Sequence, residues 1–441
     1  MIRPNLRHLV AAAFSLFAAS SVANAQYPPM GGHPPLLQMP RSGYQAPIVN
    51  HQIEGDPDLW DEEQPIERLF SNVAARSWLR LEFMLWDFRG PGEGFLGPGV
   101  TGLNRGVFAN QQEGLNVPID FNDNLNGGVT VGQTLFPTLG GIGDQDLPGI
   151  RGTWGVDLVG AEMELSFFGT EQSGDGISHL GIADGRIRQR NLVDNTINPD
   201  LGTATSPNYA IPLTTDGVVQ DVAAANALIF NNSLKFEMES QIWGTELTFL
   251  TEKKVPGGAG ASWQWLAGAR YLSFDEAFNV VGTNGTFDGV NAMTITQTTN
   301  IHATTVNNLY GPEFGGRFAL TSKYLTFSVT PRVMFGLNDR TSTVVADPLG
   351  LGAVKTSSDE IDFGTVTQLN LATELHLSPK FSLYAGYDFM WLPRVTRPDD
   401  NISFDSVTPV GGGTPVVSVT EHMNLTDFFA QGFSVGATFR Y

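Results

Sequence analysis

The chain has 441 residues, 41% hydrophobic and 16% charged, with 50 Gly, 29 Phe and no Cys. That length admits one large domain or two ordinary ones, and the missing cysteines exclude a disulfide framework. A formal net charge of −20 argues against nucleic-acid binding, which needs a basic face; solubility accounts for it, as do surface loops that meet divalent cations.

In chain order, Arg3, Arg7 and His8 make a basic start and 9–19 is a short apolar run. Ala23-Asn24-Ala25 has the form of a cleavage site, so 1–25 reads as a secretory signal peptide cut after Ala25. Losing Arg3 and Arg7 from the 25 basic residues leaves 23 against 45 acidic ones. No later stretch approaches ~20 consecutive apolar residues, so any membrane crossing falls to strands. Residues 26–64, rich in Pro and Gly and then acidic, read as an extended or disordered leader. A short helix is expected over 65–76, with Ile66, Leu69, Phe70 and Val73 on one side.

From there the sequence predicts ten strands: 77–89, 149–157, 160–170, 234–251, 262–275, 303–321, 324–338, 362–377, 380–393 and 427–441. Long gaps (90–148, 171–233, 276–302, 339–361, 394–426) alternate with short ones (158–159, 252–261, 322–323, 378–379). Short periplasmic turns and long outer loops are the rhythm of an outer-membrane barrel, and an even strand count returns both ends to one side. The expected fold is therefore all-β, an antiparallel transmembrane β-barrel over 77–441. Merging the second and third strands, or a further pair within 171–233, gives eight or twelve strands instead.

Period-two alternation assigns the faces. In the last strand Phe429, Phe433, Val435, Ala437, Phe439 and Tyr441 point one way, and Ser434, Thr438 and Arg440 the other. Leu325, Phe327, Val329, Val333, Phe335 and Leu337 form a second outward row. Trp263, Trp265, Tyr271, Tyr387 and Trp391 stand near strand ends, as aromatic belts do. Charge at mid-depth avoids lipid, so Arg80, Glu82, Glu162, Glu164, Glu237, Glu239, Glu246, Arg270, Glu313, Arg317, Arg332, Glu374, His376, Asp388 and Arg440 are expected to line the lumen. Keeping Glu237, Glu239 and Glu246 together there requires a β-bulge at Ile242-Trp243.

With the strands placed, 78–86 (WLRLEFMLW), 266–276 (LAGARYLSFDE), 307–316 (NNLYGPEFGG), 383–398 (LYAGYDFMWLPRVTRP) and 429–441 (FFAQGFSVGATFRY from 428) resemble the "seventh putative beta-barrel porin" family. The resemblance implies an outer-membrane barrel, labelled a porin by analogy, and hands over no catalytic residue.

Three functions remain open on the residues alone. Paired charges in so narrow a lumen make a structural ion-pair core, and the barrel then displays loops 90–148 and 171–233. Left unblocked, the same charges make a narrow or gated, cation-preferring path for ions or small hydrophilic solutes. A rim enzyme needs His302, His376 or His422 beside acidic residues, and no nucleophile accompanies them. Gly97 to Gly102 fits G-x-G-x-x-G without a following helix. Asn122 to Gly127 has a calcium-loop look but starts with Asn and reaches Gln133 at the twelfth place. No cofactor or metal is expected. The expected partners are outer-membrane lipids, small solutes or cations, and the barrel-assembly machinery through the strand ending at Tyr441.

Overall fold

A computed structural model describes residues 73–92, 94–98, 134–135, 137–142, 145–180, 208–219, 226–230, 232–255, 260–287, 293–350, 352–412 and 416–441. The signal, the leader, most of the expected helix, the Asn122 loop and the end of the Gly97 motif lie outside those residues. The chain divides into Met1–Arg76 and Ser77–Tyr441. In the first unit, described residues 73–75 are helical.

The second unit is almost all strand. In order these are β1 (Ser77–Phe88), β2 (Thr134–Leu135), β3 (Gln145–Leu158), β4 (Ala161–Thr170), β5 (Ser173–Leu180), β6 (Asn208–Thr215), β7 (Asn226–Phe230), β8 (Ser233–Thr251), β9 (Ala261–Phe287), β10 (Met293–Thr321), β11 (Leu325–Asp347), β12 (Val354–Ser378), β13 (Phe381–Val395), β14 (Ile402–Val407), β15 (Val416–Glu421) and β16 (Thr426–Arg440). Ten of them close a ring in the order β1-β3-β4-β8-β9-β10-β11-β12-β13-β16, each antiparallel to its neighbours, with β16 paired back on β1. These ten cover the ten segments read from the alternation, apart from a single terminal residue in five of them.

Two solvents explain the faces. Phe433, Val435, Phe439 and Tyr441 are exposed while Ser434 and Thr438 are buried. Leu325, Phe327, Phe335 and Leu337 are exposed while Thr330 and Asn338 are buried. Apolar residues on the outside and polar ones inside invert a soluble protein and fit a wall between lipid and a polar interior. The short turns, and both ends of the barrel chain, lie at one end of the ring; we call it the turn end.

Four strands run much further outward than the alternation suggested. β9 to β12 extend through most of 276–302 and 339–361, which had read as loops. Their outward positions there carry Thr, Asn, His and Asp rather than Leu or Phe, because these stretches stand beyond the lipid. Their inward positions combine apolar residues with a few buried polar ones, Glu276, Thr299, Arg340 and Ser342. Phe278, Val280, Ile301, Ala303, Val344 and Ala346 pack with Phe236 and Met238 of β8 into a buried core. A second sheet covers that core: β15-β14-β6-β2, with β7 on β6, contributes Ile211, Leu228, Phe230, Phe404 and Val419. Strands β5 to β7 of 171–233 therefore add no new position to the ring. β5 instead continues the line of β4 along the outer half of β8, from Ser173↔Ser240 to Leu180↔Ser233.

The bulge expected in β8 is absent. Its register on β9 runs unbroken from Ser233↔Thr283 to Leu250↔Leu266. Glu237 and Glu239 accordingly point outward, away from the lumen. Glu237 pairs with Lys235 and Glu239 accepts from Gln172. The rule that charge avoids lipid fails for these two because they sit beyond the lipid, where water solvates them. The inward places belong to Leu234, Phe236, Met238 and Ile242, all fully buried.

Candidate functional site: the barrel lumen

Toward the turn end the lumen is crossed by ion pairs. Arg317 of β10 grips Glu164 of β4 through bonds of 2.8 and 2.7 Å. Arg332 of β11 bonds Glu246 of β8 at 2.6 Å and lies 3.6 Å from Glu313. Arg270 contacts Glu246, Gln368 and, at 3.2 Å, Glu313. Arg151 bonds Asp388 at 3.0 Å and reaches Glu82 at 3.5 Å. Arg80 holds Glu82 at 2.9 Å and lies 4.4 Å from the Tyr384 ring centroid. Glu162 accepts from Trp78 Nε1 at 3.1 Å and Gln264 at 3.5 Å. Arg440 bonds Glu374 at 2.7 Å, and His376 contacts Thr326 at 2.9 Å and Ser382 at 3.1 Å. Several of these links join strands three places apart around the ring, so they are chords across the lumen. Buried charges are tolerated when paired and hydrogen-bonded; each arginine of this lattice meets a carboxylate, while Arg270 Nε, Arg332 Nε and Glu313 Oε1 have no hydrogen-bond partner. A polar cavity of about 300 Å³ remains beside it, lined among others by Trp78, Lys253, Arg317, His376 and Thr438.

Arg151 is missing from the residues read as lumenal, although its alternation with Thr153 and Gly155 places it there. Adding it, and moving Glu237 and Glu239 outside, brings the lumen's acids and bases close to balance. The acidic excess behind a cation-preferring path is therefore gone.

Above the lattice the lumen is apolar. Met84, Trp86, Phe88, Leu147, Phe168, Ile242, Leu272, Phe274, Leu309, Met334, Val366, Met390, Leu392, Val395, Phe428 and Ala430 form one cluster, none more than 1% exposed. Phe274 of β9 and Phe428 of β16 stand on strands diametrically opposed in the ring, yet their centroids are 4.1 Å apart. Phe88 closes the triangle at 5.2 Å from Phe428 and 6.0 Å from Phe274. At this level no aqueous path separates one wall from the other.

Further out, the chain after β13 turns into the mouth instead of away from it. Residues 395–399 are buried, as are Asn401 and Ile402. The turn inward begins at Arg394, whose φ of 58° is the left-handed region that a side chain enters only when its surroundings enforce it. Asp362 holds its guanidinium at 2.5 Å. Arg397 donates to both oxygens of Glu276 at 2.9 and 2.8 Å and to the Gly90 carbonyl at 3.2 Å. Asn307 accepts from the Thr396 amide at 2.9 Å, and Asn401 donates to Ser342 at 2.8 Å. The Val395-Thr396-Arg397-Pro398 stretch that carried part of the family resemblance is this stopper.

Beside it, burial pushes the Asp399 carboxyl up to about 7 against the pull of Arg397, with Asp400 and Glu276 adding to the rise. A folded value above the unfolded one (about 3.9) means the fold prefers the proton. That contribution is full below about pH 4 and is lost as pH rises through 7. Amide exchange of 395–402, corrected for intrinsic rates, is expected to be about ten-fold or more faster at pH 8 than at pH 5. In Asp399→Asn the two pH values should agree; an unchanged pH dependence there would remove Asp399 as the cause.

Among the described residues the histidines do not converge on one another, and His376 Nδ1 lies 4.0 Å from Glu374. His302 contacts Asn279 at 2.5 Å on the outward face, His422 is exposed beyond β15, and His376 sits at the turn end. Among the described residues no group of three or more His, Asp or Glu is arranged to hold a metal ion.

A closed ring with an apolar exterior and an ion-paired interior defines a transmembrane β-barrel of ten strands. Residues 78–441 match the family described as "Putative beta barrel porin-7 (BBP7)", and the chain belongs to that family of porin-like outer-membrane barrels. No curated protein matches it. Among solved structures it is similar to the outer-membrane protease OmpT of Escherichia coli, at 9% identity over 83% of this chain and 97% of that one, TM-score 0.40. It is also similar to the translocator domain of the autotransporter NalP of Neisseria meningitidis, at 8% identity, 88% and 96% coverage and TM-score 0.25. A FadL homologue of Pseudomonas aeruginosa follows at 10% identity, 82% and 90% coverage and TM-score 0.22.

Proposed function

We propose that this barrel is closed, and that it acts as a membrane anchor holding a folded outer domain at the cell surface for structural or interaction purposes. The contact of Phe274 with Phe428 across the full width of the lumen carries the reading. The stopper and the covered outer core repeat the occlusion at two further levels. A porin spends its interior on water, whereas here the interior is spent on packing. The reading gives the chain no catalytic role: its described histidines are dispersed, His302 and His376 hydrogen-bond neutral side chains, and the one acid near His376, Glu374 at 4.0 Å, is held by Arg440. It assigns the outward aromatic rows to lipid and the β16 face ending at Tyr441 to the machinery that inserts barrels.

Single-channel recording of the refolded mature chain in a planar bilayer tests it. The expected trace is silent, from protein that shows the heat-modifiable gel mobility of a folded barrel. Steady conductance steps would establish the pore instead.

A further inference from the structure

We propose that the turn end carries an arc of three lysines, Lys254, Lys323 and Lys380, that binds the phosphate groups of anionic phospholipids in the inner leaflet. The chain has only six lysines. Lys253, which lines the lumenal cavity, and Lys254 follow β8, Lys323 joins β10 to β11, and Lys380 joins β12 to β13. These turns are consecutive around the ring, so the lysines share one side of one end. Lys235 and Lys355 lie at the other end.

Their surroundings separate them from the cations of the lumen. The lumenal arginines are each matched to a carboxylate, and Lys235 to Glu237. All three lysines of the arc are exposed, and among the described residues none has a carboxylate partner. The carboxylates nearest in sequence or on the neighbouring turn are Glu252 and Asp157, both exposed. Two of the ammonium groups rest against aromatic rings: Lys254 Nζ is 5.2 Å from the Trp263 centroid and Lys323 Nζ 4.9 Å from that of Tyr324. Directly beside them the outward face is apolar, with Tyr324 61%, Leu320 59% and Leu377 57% exposed.

A cation at the edge of an apolar, aromatic band stands at the depth of lipid phosphate, its stem lying along the band and its charge at the headgroup. That depth favours lipid over a partner further into the periplasm. The β3–β4 turn shows the contrast: it offers Leu158 and Val159, both exposed, and no lysine. Anionic lipid should therefore gather on the β8–β13 side alone. The inference is independent of whether the lumen is open.

The test uses the full mature chain reconstituted in vesicles of equal phosphatidylglycerol and phosphatidylcholine, then released and examined by native mass spectrometry. Retained phosphatidylglycerol is expected to exceed phosphatidylcholine about five-fold or more. The excess should shrink at 1 M salt, where screening acts over about 3 Å, and 10 mM inorganic phosphate should not abolish it. The triple variant K254Q/K323Q/K380Q should retain the two lipids equally, while K235Q/K355Q behaves as the parent; gel mobility reports folding of both. Equal retention by the parent, or an undiminished excess in the triple variant, overturns the proposal. So would a variant that keeps its lipid preference but loses binding to peptidoglycan, which would assign the arc to that polymer.

Discussion

Replacing Arg270 by methionine is expected to cost the barrel about 3–5 kcal/mol, measured as urea unfolding from phospholipid vesicles, because it leaves buried carboxylates without their cation. Arg270 is 3% exposed and serves Glu246, at 7%, and Glu313, at 1%. Arg332 alone would then face both acids from 2.6 and 3.6 Å. The quadruple variant R270M/R332M/E246Q/E313Q, which also removes the guanidinium that Glu246 and Glu313 hold, should recover most of the loss, since replacing a whole buried network costs far less than breaking it. Lysine at 270 should recover little: one point charge cannot reach Glu246, Glu313 and Gln368 as the planar fork does. The outcome bears on function as well as stability. A loss below about 1 kcal/mol, the range of solvated pairs, would mean that water already bathes the lattice. The closed-barrel reading would then lose its lower half.

What was legible in the sequence was whatever period-two alternation encodes. Leu79, Leu81 and Phe83 against Arg80 and Glu82 require a two-faced strand, and ten such stretches separated by alternating short and long gaps specify the ring. The lumenal residues followed wherever a charge interrupted an apolar row at lipid depth. The reading failed where the solvent outside changed. Beyond the lipid the outward residues of β8 become polar and its inward ones mostly apolar, so Glu237 and Glu239 sort to the opposite face from Glu246 on one straight strand. A rule tied to lipid has no warrant there. The same change hid the outer ends of β9 to β12. The stopper was illegible for another reason. Arg397 meets Glu276 across 121 positions of sequence, and no local pattern reports such a pairing. The occlusion by Phe274 and Phe428 is of the same kind: each reads as one inward residue of its own strand, and only the closure of the ring brings them together.

Phe428→Ala is expected to cost about 3–5 kcal/mol, as large buried aromatics do, and to leave the barrel silent in a bilayer. The stability loss follows from its packing against Phe88 at 5.2 Å and Phe274 at 4.1 Å with no solvent exposure. The silence separates two architectures. In a gated pore one constriction holds the path shut, so removing its central ring admits water and current. In a closed barrel the occlusions stand in series, and a void at one level connects to nothing. Above Phe428 the Arg397–Glu276 stopper and the core of Phe236, Phe278, Phe230 and Phe404 remain; below it the Arg–Glu chords remain. Current from the folded single variant would show that Phe428 is the gate and that the outer layers already admit ions. Continued silence from Phe274→Ala/Phe428→Ala, with unfolding shifted again by a similar amount, would mean that the interior of this barrel serves as a core along its whole length.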